Sequence, residues 1–569
     1  RQMCIRDRIK RIYAVTGDSL NFLNDAIKRE GSIQWIHVRH EEVGAFAAAA
    51  EAELDGLAVC AGSSGPGHVH LINGLYEANR GNVPVLAIAS TCESSEFGTS
   101  YFQETNTIKL FDDCSVYNQV ANTPEQAPRM LQAALQHAIS QKGVSVLGVP
   151  GDLFEAKSEK NISSDLVFKT NPRIIPSEEE INWIANQLNS GKKVAIYCGI
   201  GASEAHTEVV ALAEKLKAPI GYSFRGKMGI QYNNPYEVGM TGLLGLPSAF
   251  KAMHEADIVL LLGTDFPYVK FMPTDKVIIQ IDDKPERLGR RAQLTRGYAG
   301  KIKDSLINLL PLIKINDNQD FLDKQLDFYQ KVKNNLRSYV EDKGKENHIS
   351  PEFVAETINQ KANKDTIFTV DTGMCCVWGA RYLEATGERK LLGSFNHGTM
   401  ANAMPMAIGA QLSHPDKQVI ALCGDGGLSM LLGDIATIKQ YNLPIKIIVF
   451  NNRSLGMVKL EMEVNGIPDN ETDMVNPDFG LLAQAFGING INVTDPEKVE
   501  TAIQDALAID GPVLVNIFTD PNALAMPPKV GWEQMKGMGV AMTKMMLDGN
   551  FKEVADTITS NYKHIKEVL

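Results

Sequence analysis

The sequence predicts an α/β protein of three doubly wound parallel-sheet domains followed by a C-terminal helical tail. Three observations carry that expectation. Short apolar runs of strand length alternate with helix-length stretches along most of the chain, the grammar of parallel sheets. The 569 residues exceed what one hydrophobic core accommodates, so about three or four domains are expected. Glycine-rich turns fall where predicted strands hand over to helices, the usual place for ligand sites on such sheets.

Residues 1–8 show no clear apolar period and Arg1 is not an initiator, so the start reads as truncated or artefactual. Strands are then expected at 11–15, 33–38, 57–61 and 83–89, with helices at 42–54 and 68–79 between them. A Pro-bearing segment at 171–177 precedes a strand at 194–198, and a charged stretch at 341–347 precedes a further unit. These set the domains at 1–175, 176–342 and 343–530, with a tail at 531–569. No short-period repeat or low-complexity tract suggests a solenoid.

Composition narrows the function classes. A net charge of -12 argues against a polyanion-binding surface, and nucleic acid is not an expected partner. The eight cysteines form no CxxC pair, and only Cys375 and Cys376 are adjacent, which suits a reducing cytoplasm. No apolar run approaches the roughly 20 residues that span a bilayer, and no signal peptide is visible.

The strongest motif is Gly424-Asp425-Gly426-Gly427, followed at Asn451-Asn452 by a second polar pair. A buried strand at 418–423, a helix at 428–441 and a strand at 445–450 would set the two motifs side by side. Magnesium takes near-octahedral oxygen ligands. Asp425, the Asn452 amide oxygen and a backbone carbonyl near Ser454 can share it with two phosphate oxygens. Gly426 and Gly427 allow close backbone approach, and the helix N-terminus favours the anion. Thiamine diphosphate with Mg2+ is the leading cofactor, although GDGG alone also suits a plain strand-turn-helix.

Arg39-His40-Glu41-Glu42 lies where a predicted strand passes into an Ala-rich helix. Thiamine diphosphate is activated when a carboxyl bonds its pyrimidine ring nitrogen and drives the imino form. Glu41 is the candidate for that role, with Glu42 read as an ordinary acidic residue of the first helical turn. Without a cofactor, both would read as such acids.

Beyond single motifs, the chain resembles the thiamine-diphosphate-dependent pyruvate oxidases, most nearly the flavin-containing pyruvate dehydrogenases that reduce quinone. The matching segments span nearly everything after Lys10. They are VTGDSLN at 15–21, RHEEV at 39–43, CAGSSGPG at 60–67 with Gly65 as a cofactor contact, YFQET at 101–105, RGK at 225–227, GMTGL at 239–243, GTDFP at 263–267, GSFNHGTMANAMP at 393–405, and CGDGG at 423–427.

The resemblance independently points to Glu41. It places Met400 beneath the thiazolium, brings the Gly398 carbonyl to the exocyclic amine, and assigns Asp371-Thr372-Gly373 to the diphosphate site. A lone methionine such as Met400 would otherwise read as core. Phe102 and Gln103 would line the reaction cavity. Glu461, on the helix after Gly456, is either a further active-site acid or a solvated one. The family usually carries an aromatic residue where this chain has Met457.

In the middle domain, Gly199-Ile200-Gly201-Ala202 is a weak nucleotide signal that a tight turn explains equally well. The resemblance implies FAD held there by Gly199, Gly201, Met240, Thr241, Gly242, Leu243, Gly263, Thr264, Asp265, Phe266, Pro267 and Asp282. The implied reaction is oxidative decarboxylation of pyruvate to acetate and CO2, with electrons passing through FAD to a membrane quinone. At least a dimer is implied, and usually a tetramer, with each site shared between subunits.

In the tail, Phe551, Val554, Ile558, Tyr562, Ile565 and Val568 recur at helical spacing. Such an amphipathic helix either lies on a membrane surface near the quinone or packs on its own domain. The protein is then cytoplasmic, or peripheral on the inner face of the cell membrane. Two variants of the chemistry stay open: an acetohydroxyacid-synthase-like carboligase, and a phosphate-dependent oxidase making acetyl phosphate. A catalytically silent lipid-binding scaffold needs neither Glu41, Asp425 nor Asn452.

Overall fold

The computed structural model describes residues 9–157, 167–168, 170, 172–523, 540–542 and 544–545. Residues 1–8 and the apolar tail positions from Phe551 to Val568 lie outside them.

The first sheet holds β1 (Arg11–Ala14), β2 (Gln34–His37), β3 (Ala58–Gly62), β4 (Val85–Thr91), β5 (Tyr117–Val120) and β6 (Val144–Pro150) in the order β2-β1-β3-β4-β6-β5. The second holds β7 (Val194–Cys198), β8 (Ile220–Tyr222), β9 (Glu237–Met240), β10 (Ile258–Leu262), β11 (Val277–Asp282) and β12 (Arg296–Ala299) in the order β12-β11-β10-β7-β8-β9. After a small hairpin of β13 (Gly344–Lys345) and β14 (His348–Ile349) comes the third sheet. It comprises β15 (Ile367–Val370), β16 (Lys390–Gly393), β17 (Val419–Gly424), β18 (Lys446–Asn451), β19 (Asn489–Val493) and β20 (Val513–Phe518), ordered β16-β15-β17-β18-β20-β19.

Every pair in the three large sheets is parallel. Inner strands such as β3, β6, β7, β10 and β18 are buried along their whole length, which is why they read as nearly continuous apolar runs. Counted within each domain, the first and third sheets share one strand order and the second follows 3-2-1-4-5-6. All three therefore reverse direction beside their first strand, and such reversals open a crevice at the strand C-termini.

The helix expected at 428–441 is instead interrupted. It begins at Asp425, stops at Met430, and resumes as Ile435–Gln440 after a 3-10 turn at Leu432–Asp434. Gly433 weakens the helical interior. The Asp434 carboxylate accepts bonds from Arg39 N at 2.8 Å and Thr437 Oγ1 at 2.7 Å, so the break docks this segment on the first domain.

The first and third domains share one apolar core. The Ala-rich helix Glu41–Asp55 lies at its centre, packed against Ala403–Ser413. Small side chains bring the helices so close that a Cβ on Gly409 would stand 2.0 Å from the Ala47 carbonyl oxygen. At the edge of this contact, Tyr441 Oη accepts from His37 N at 2.7 Å. Asn73 Nδ2 donates to Thr399 Oγ1 at 2.9 Å. Ser394 Oγ donates to the buried Glu77 carboxylate. Among the described residues, no helix is long and apolar enough to cross a membrane.

Gly409→Ala is therefore expected to destabilise the protein by about 1–3 kcal/mol through overpacking against backbone; an unchanged melting temperature would contradict this packing. A second expectation concerns Glu77, whose carboxyl burial pushes up to about 7 from 4.5. Between those values the folded chain keeps a proton that the unfolded chain has lost, so stability falls as pH rises through the window and the loss is complete above it. The melting temperature of Glu77→Gln minus that of the parent should thus grow between pH 5 and pH 8, whereas a flat difference would show that Glu77 is not desolvated.

Candidate functional site: a cleft at the reversal of the third sheet

Where β15 and β17 end side by side, the chain forms a solvent-open cleft. Thr372, Gly373, Met400, Gly424 to Gly427, Asn452, Ser454 and Met457 line it. The strand order dictates this place, and two buried carboxylates mark it: Asp425 lines the cleft, and Asp371 sits behind the wall formed by Gly427. Asp371 follows β15 and is 1% exposed. Its Oδ1 accepts from Thr372 N at 2.9 Å and from Asn402 Nδ2 at 3.2 Å, yet burial still pushes its carboxyl up to about 7. A Cβ on Gly427 would stand 1.9 Å from its Oδ2, so glycine is required there by this carboxylate as well as by any ligand. Gly373 takes φ 142° with open space where a side chain would be.

Asp425 starts the short helix after β17 and is also buried. Oδ1 accepts from Gly426 N at 3.0 Å, while Oδ2 accepts from Arg453 N and Asn476 Nδ2, both at 2.7 Å. Burial raises its carboxyl despite these donors. The Arg453 bond ties Asp425 directly to the loop carrying Asn452, whose Oδ1 accepts from Ser454 N at 3.1 Å. Ser454 Oγ is buried without a hydrogen-bond partner. This crowd of hard oxygen donors suits magnesium rather than a softer metal. The Met400 methyl lies 3.2 Å from where a Cβ of Gly426 would be, so Met400 borders the same floor. Gly398, with φ 77° and nothing within 4 Å of its missing side chain, sits in the loop leading to it.

Other sequence-predicted residues lie elsewhere on the chain. Glu41 does not line this cleft. It sits at the start of the Ala-rich helix, 8% exposed, with its Oε2 bonded by His70 Nδ1 at 2.8 Å. His40, the N-cap, stacks on His70 with ring centroids 4.3 Å apart. Gly65 takes φ 71° and packs on Gln103, where a Cβ would meet the Gln103 Cβ at 2.9 Å. Phe102 beside it is 74% exposed and Glu461 is exposed, so neither is enclosed within one chain. Met457 does border the cleft.

In the middle domain, the turns after β7 and β10 meet at the reversal of the second sheet. A Cβ on Gly199 would lie 2.2 Å from the Gly263 oxygen, and one on Gly263 would lie 2.7 Å from Gly201. These glycines are thus demanded by the mutual approach of the two turns. Phe266 is core, set edge-on to Tyr197, and Asp265 is ion-paired with Arg290 and Arg291. Gly242 takes φ 106° and Leu243 is 42% exposed. Thr241 Oγ1, Thr264 Oγ1 and Asp282 Oδ2 are buried without hydrogen-bond partners, although unsatisfied buried polar atoms are rare. Burial pushes the Asp282 carboxyl up to about 6, and its Oδ1 accepts from Lys284 N at 3.0 Å. These unpaired groups, drawn from three separated segments, fit a polar ligand such as a ribose-containing cofactor.

Sequence reasoning missed Asn476, Asn402 and His70. Each acts through a contact between distant parts of the chain, and no spacing rule marks any of them.

Comparison with known proteins points to one family. Domain models described as thiamine pyrophosphate enzyme, N-terminal TPP binding domain, central domain, and C-terminal TPP binding domain match residues 2–110, 181–309 and 371–517. A putative thiamine pyrophosphate-containing protein YdaP of Bacillus subtilis is 35% identical over 567 residues, covering 98% of this chain and 97% of the relative. A pyruvate oxidase of Lactiplantibacillus plantarum is 32% identical over 524 residues, covering 89% and 86%. A probable acetolactate synthase large subunit of Methanococcus aeolicus is 29% identical over 558 residues, covering 92% of each. With its three parallel-sheet domains and a buried acid-and-amide cleft on the third, the chain belongs to the thiamine pyrophosphate enzyme family.

Proposed function

We propose that this protein oxidatively decarboxylates pyruvate to acetate and CO2, with FAD as the first electron acceptor and a membrane quinone as the second. When bound, thiamine diphosphate supplies a nucleophilic carbon and an electron sink, and FAD supplies two-electron acceptance. Asp425, Asn452 and a backbone carbonyl near Ser454 would hold magnesium against the diphosphate. Gly426 and Gly427 would give that group backbone access, and Met400, which lines the same cleft, would support its ring.

Glu41 would hold a proton on the cofactor's pyrimidine nitrogen. Because it lies outside the cleft of its own chain, a second copy would deliver it, which makes the working unit at least a dimer, with the tetramer implied by the resemblance as its extension. Exposed Phe102, beside Gln103, would be covered in that same assembly, where it would exclude water while Gln103 bonds the substrate. The observation that carries the redox half is the set of unpaired buried oxygens on Thr241, Thr264 and Asp282, at the C-terminal ends of β9, β10 and β11 in the second sheet. A carboligase reading is favoured by the relatives named acetolactate synthase, and product identity separates the two.

Anaerobic mixing of the purified protein with pyruvate is expected to bleach the flavin spectrum and yield acetate with CO2. Acetolactate as the main product, with an unbleached flavin, would overturn the proposal in favour of the carboligase. Acetyl phosphate formed only when phosphate is added would make phosphate, in place of water, the acyl acceptor. Glu41→Gln is expected to lower the rate of CO2 release by about 10²–10⁴-fold while leaving the flavin spectrum intact; full activity would remove Glu41 from the chemistry.

A further inference from the structure

Behind Asp425, side-chain hydrogen bonds run unbroken across three strands to the surface. Asn476 Nδ2 donates to Asp425 Oδ2 at 2.7 Å and to Asn451 Oδ1 at 3.0 Å. Asn451 Nδ2 donates to Asn516 Oδ1 at 3.0 Å, and Asn516 Nδ2 donates to Asn492 Oδ1 at 2.8 Å. Asn492 Nδ2 then donates to Asp478 Oδ1 at 2.7 Å. Asp478 is the N-cap of the helix Phe479–Ala485 and also accepts from Leu481 N at 2.9 Å. The middle rungs sit on β18, β20 and β19, which are neighbours in the sheet, and Asn492 is the registered partner of Asn516.

The two ends force one double donor into the chain. Both ends are carboxylates, which only accept, so one residue must donate in both directions, and Asn476 is that node. Asn451, Asn516 and Asn492 each use both amide oxygen and amide nitrogen, so reversing any one of these rungs breaks two bonds. Gly480 holds the outer end, since a Cβ there would stand 2.7 Å from Asn492 Oδ1.

Such a ladder is a poor way to stabilise a sheet. Asn516 is fully buried between Val515 and Ile517, where an apolar side chain would need no partner at all. A fully satisfied polar network does, however, rigidify what it touches, and this one touches the acid at the cleft.

We propose that Asn476, Asn451, Asn516, Asn492 and Asp478 form a positioning ladder that fixes the Asp425 carboxylate for a divalent metal, so that metal affinity depends on residues that never touch the ion. This rests on the reading of Asp425 and Asn452 as a metal site. Groups behind a metal ligand commonly change affinity by about 10–100-fold when removed. The inner node should matter most, and the effect should fade outward.

The test is titration of Mn2+ into the full-length protein, stripped of metal and supplied with thiamine diphosphate, with free ion read by electron paramagnetic resonance. Asn476→Ala is expected to weaken Mn2+ binding about tenfold or more. Asn516→Ala and Asn492→Ala should weaken it by successively smaller factors. Thermal melts identify any variant that fails to fold; should Asn516→Ala do so, Asn476→Ala and Asn492→Ala decide the matter. Folded Asn476→Ala binding Mn2+ within twofold of the parent overturns the ladder. A parent that binds no Mn2+ overturns instead the metal reading beneath it.

Discussion

Two carboxylates held out of water at the ends of neighbouring parallel strands are the constraint from which the rest of this structure follows. Asp371 and Asp425 are both nearly fully buried, and burial raises both despite donors from backbone and asparagine amides. Keeping acids in such a place is unfavourable for folding. The surroundings make sense as its accommodation. Gly427 leaves room for Asp371, Asn402 and Asn476 supply donors, and the Asn452 loop is tied to Asp425 through a backbone amide. A divalent ion and an anionic ligand would turn this unfavourable concentration of oxygen into a binding site.

The same topology explains why the remaining machinery is dispersed. Each sheet reverses direction beside its first strand, and each of these reversals carries its own close approach: Gly17 on Ser63, Gly199 on Gly263, and Gly427 on Asp371. The first and third domains, fused by an alanine-rich helix contact, act as one body, so Glu41 cannot swing into the cleft of its own chain without breaking that core. In the proposed assembly a second copy would bring its Glu41 to the cleft, and symmetry between copies would supply what a single chain lacks.

Much of this was legible along the chain because it is local. The strand expected at 194–198 is β7, Val194–Cys198, and the GDGG turn lies between strand and helix as its glycines require. The reading failed where distant contacts override local pattern. The apolar periodicity from 428 to 441 suggested one helix, but Asp434 is drawn out of it by Arg39, almost four hundred residues away in sequence. The identical strand order of the first and third sheets left no repeat to detect, since parallel order is set by crossovers rather than side chains. The GIGA turn was ambiguous as a nucleotide signal because its main partner is Gly263 on another strand. Asn476 was invisible for a similar reason, being 51 residues from Asp425.

The central claim is that one chain's Glu41 serves the Asp425 and Asn452 cleft of another. The direct measurement is complementation: Glu41→Gln and Asp425→Asn proteins are mixed, allowed to exchange subunits, and assayed for CO2 release from pyruvate. Each variant alone should be inactive. Random exchange puts one intact site in every mixed pair, so about a quarter of the parental activity should return. A mixture that exchanges subunits yet stays as inactive as its components would contradict the account.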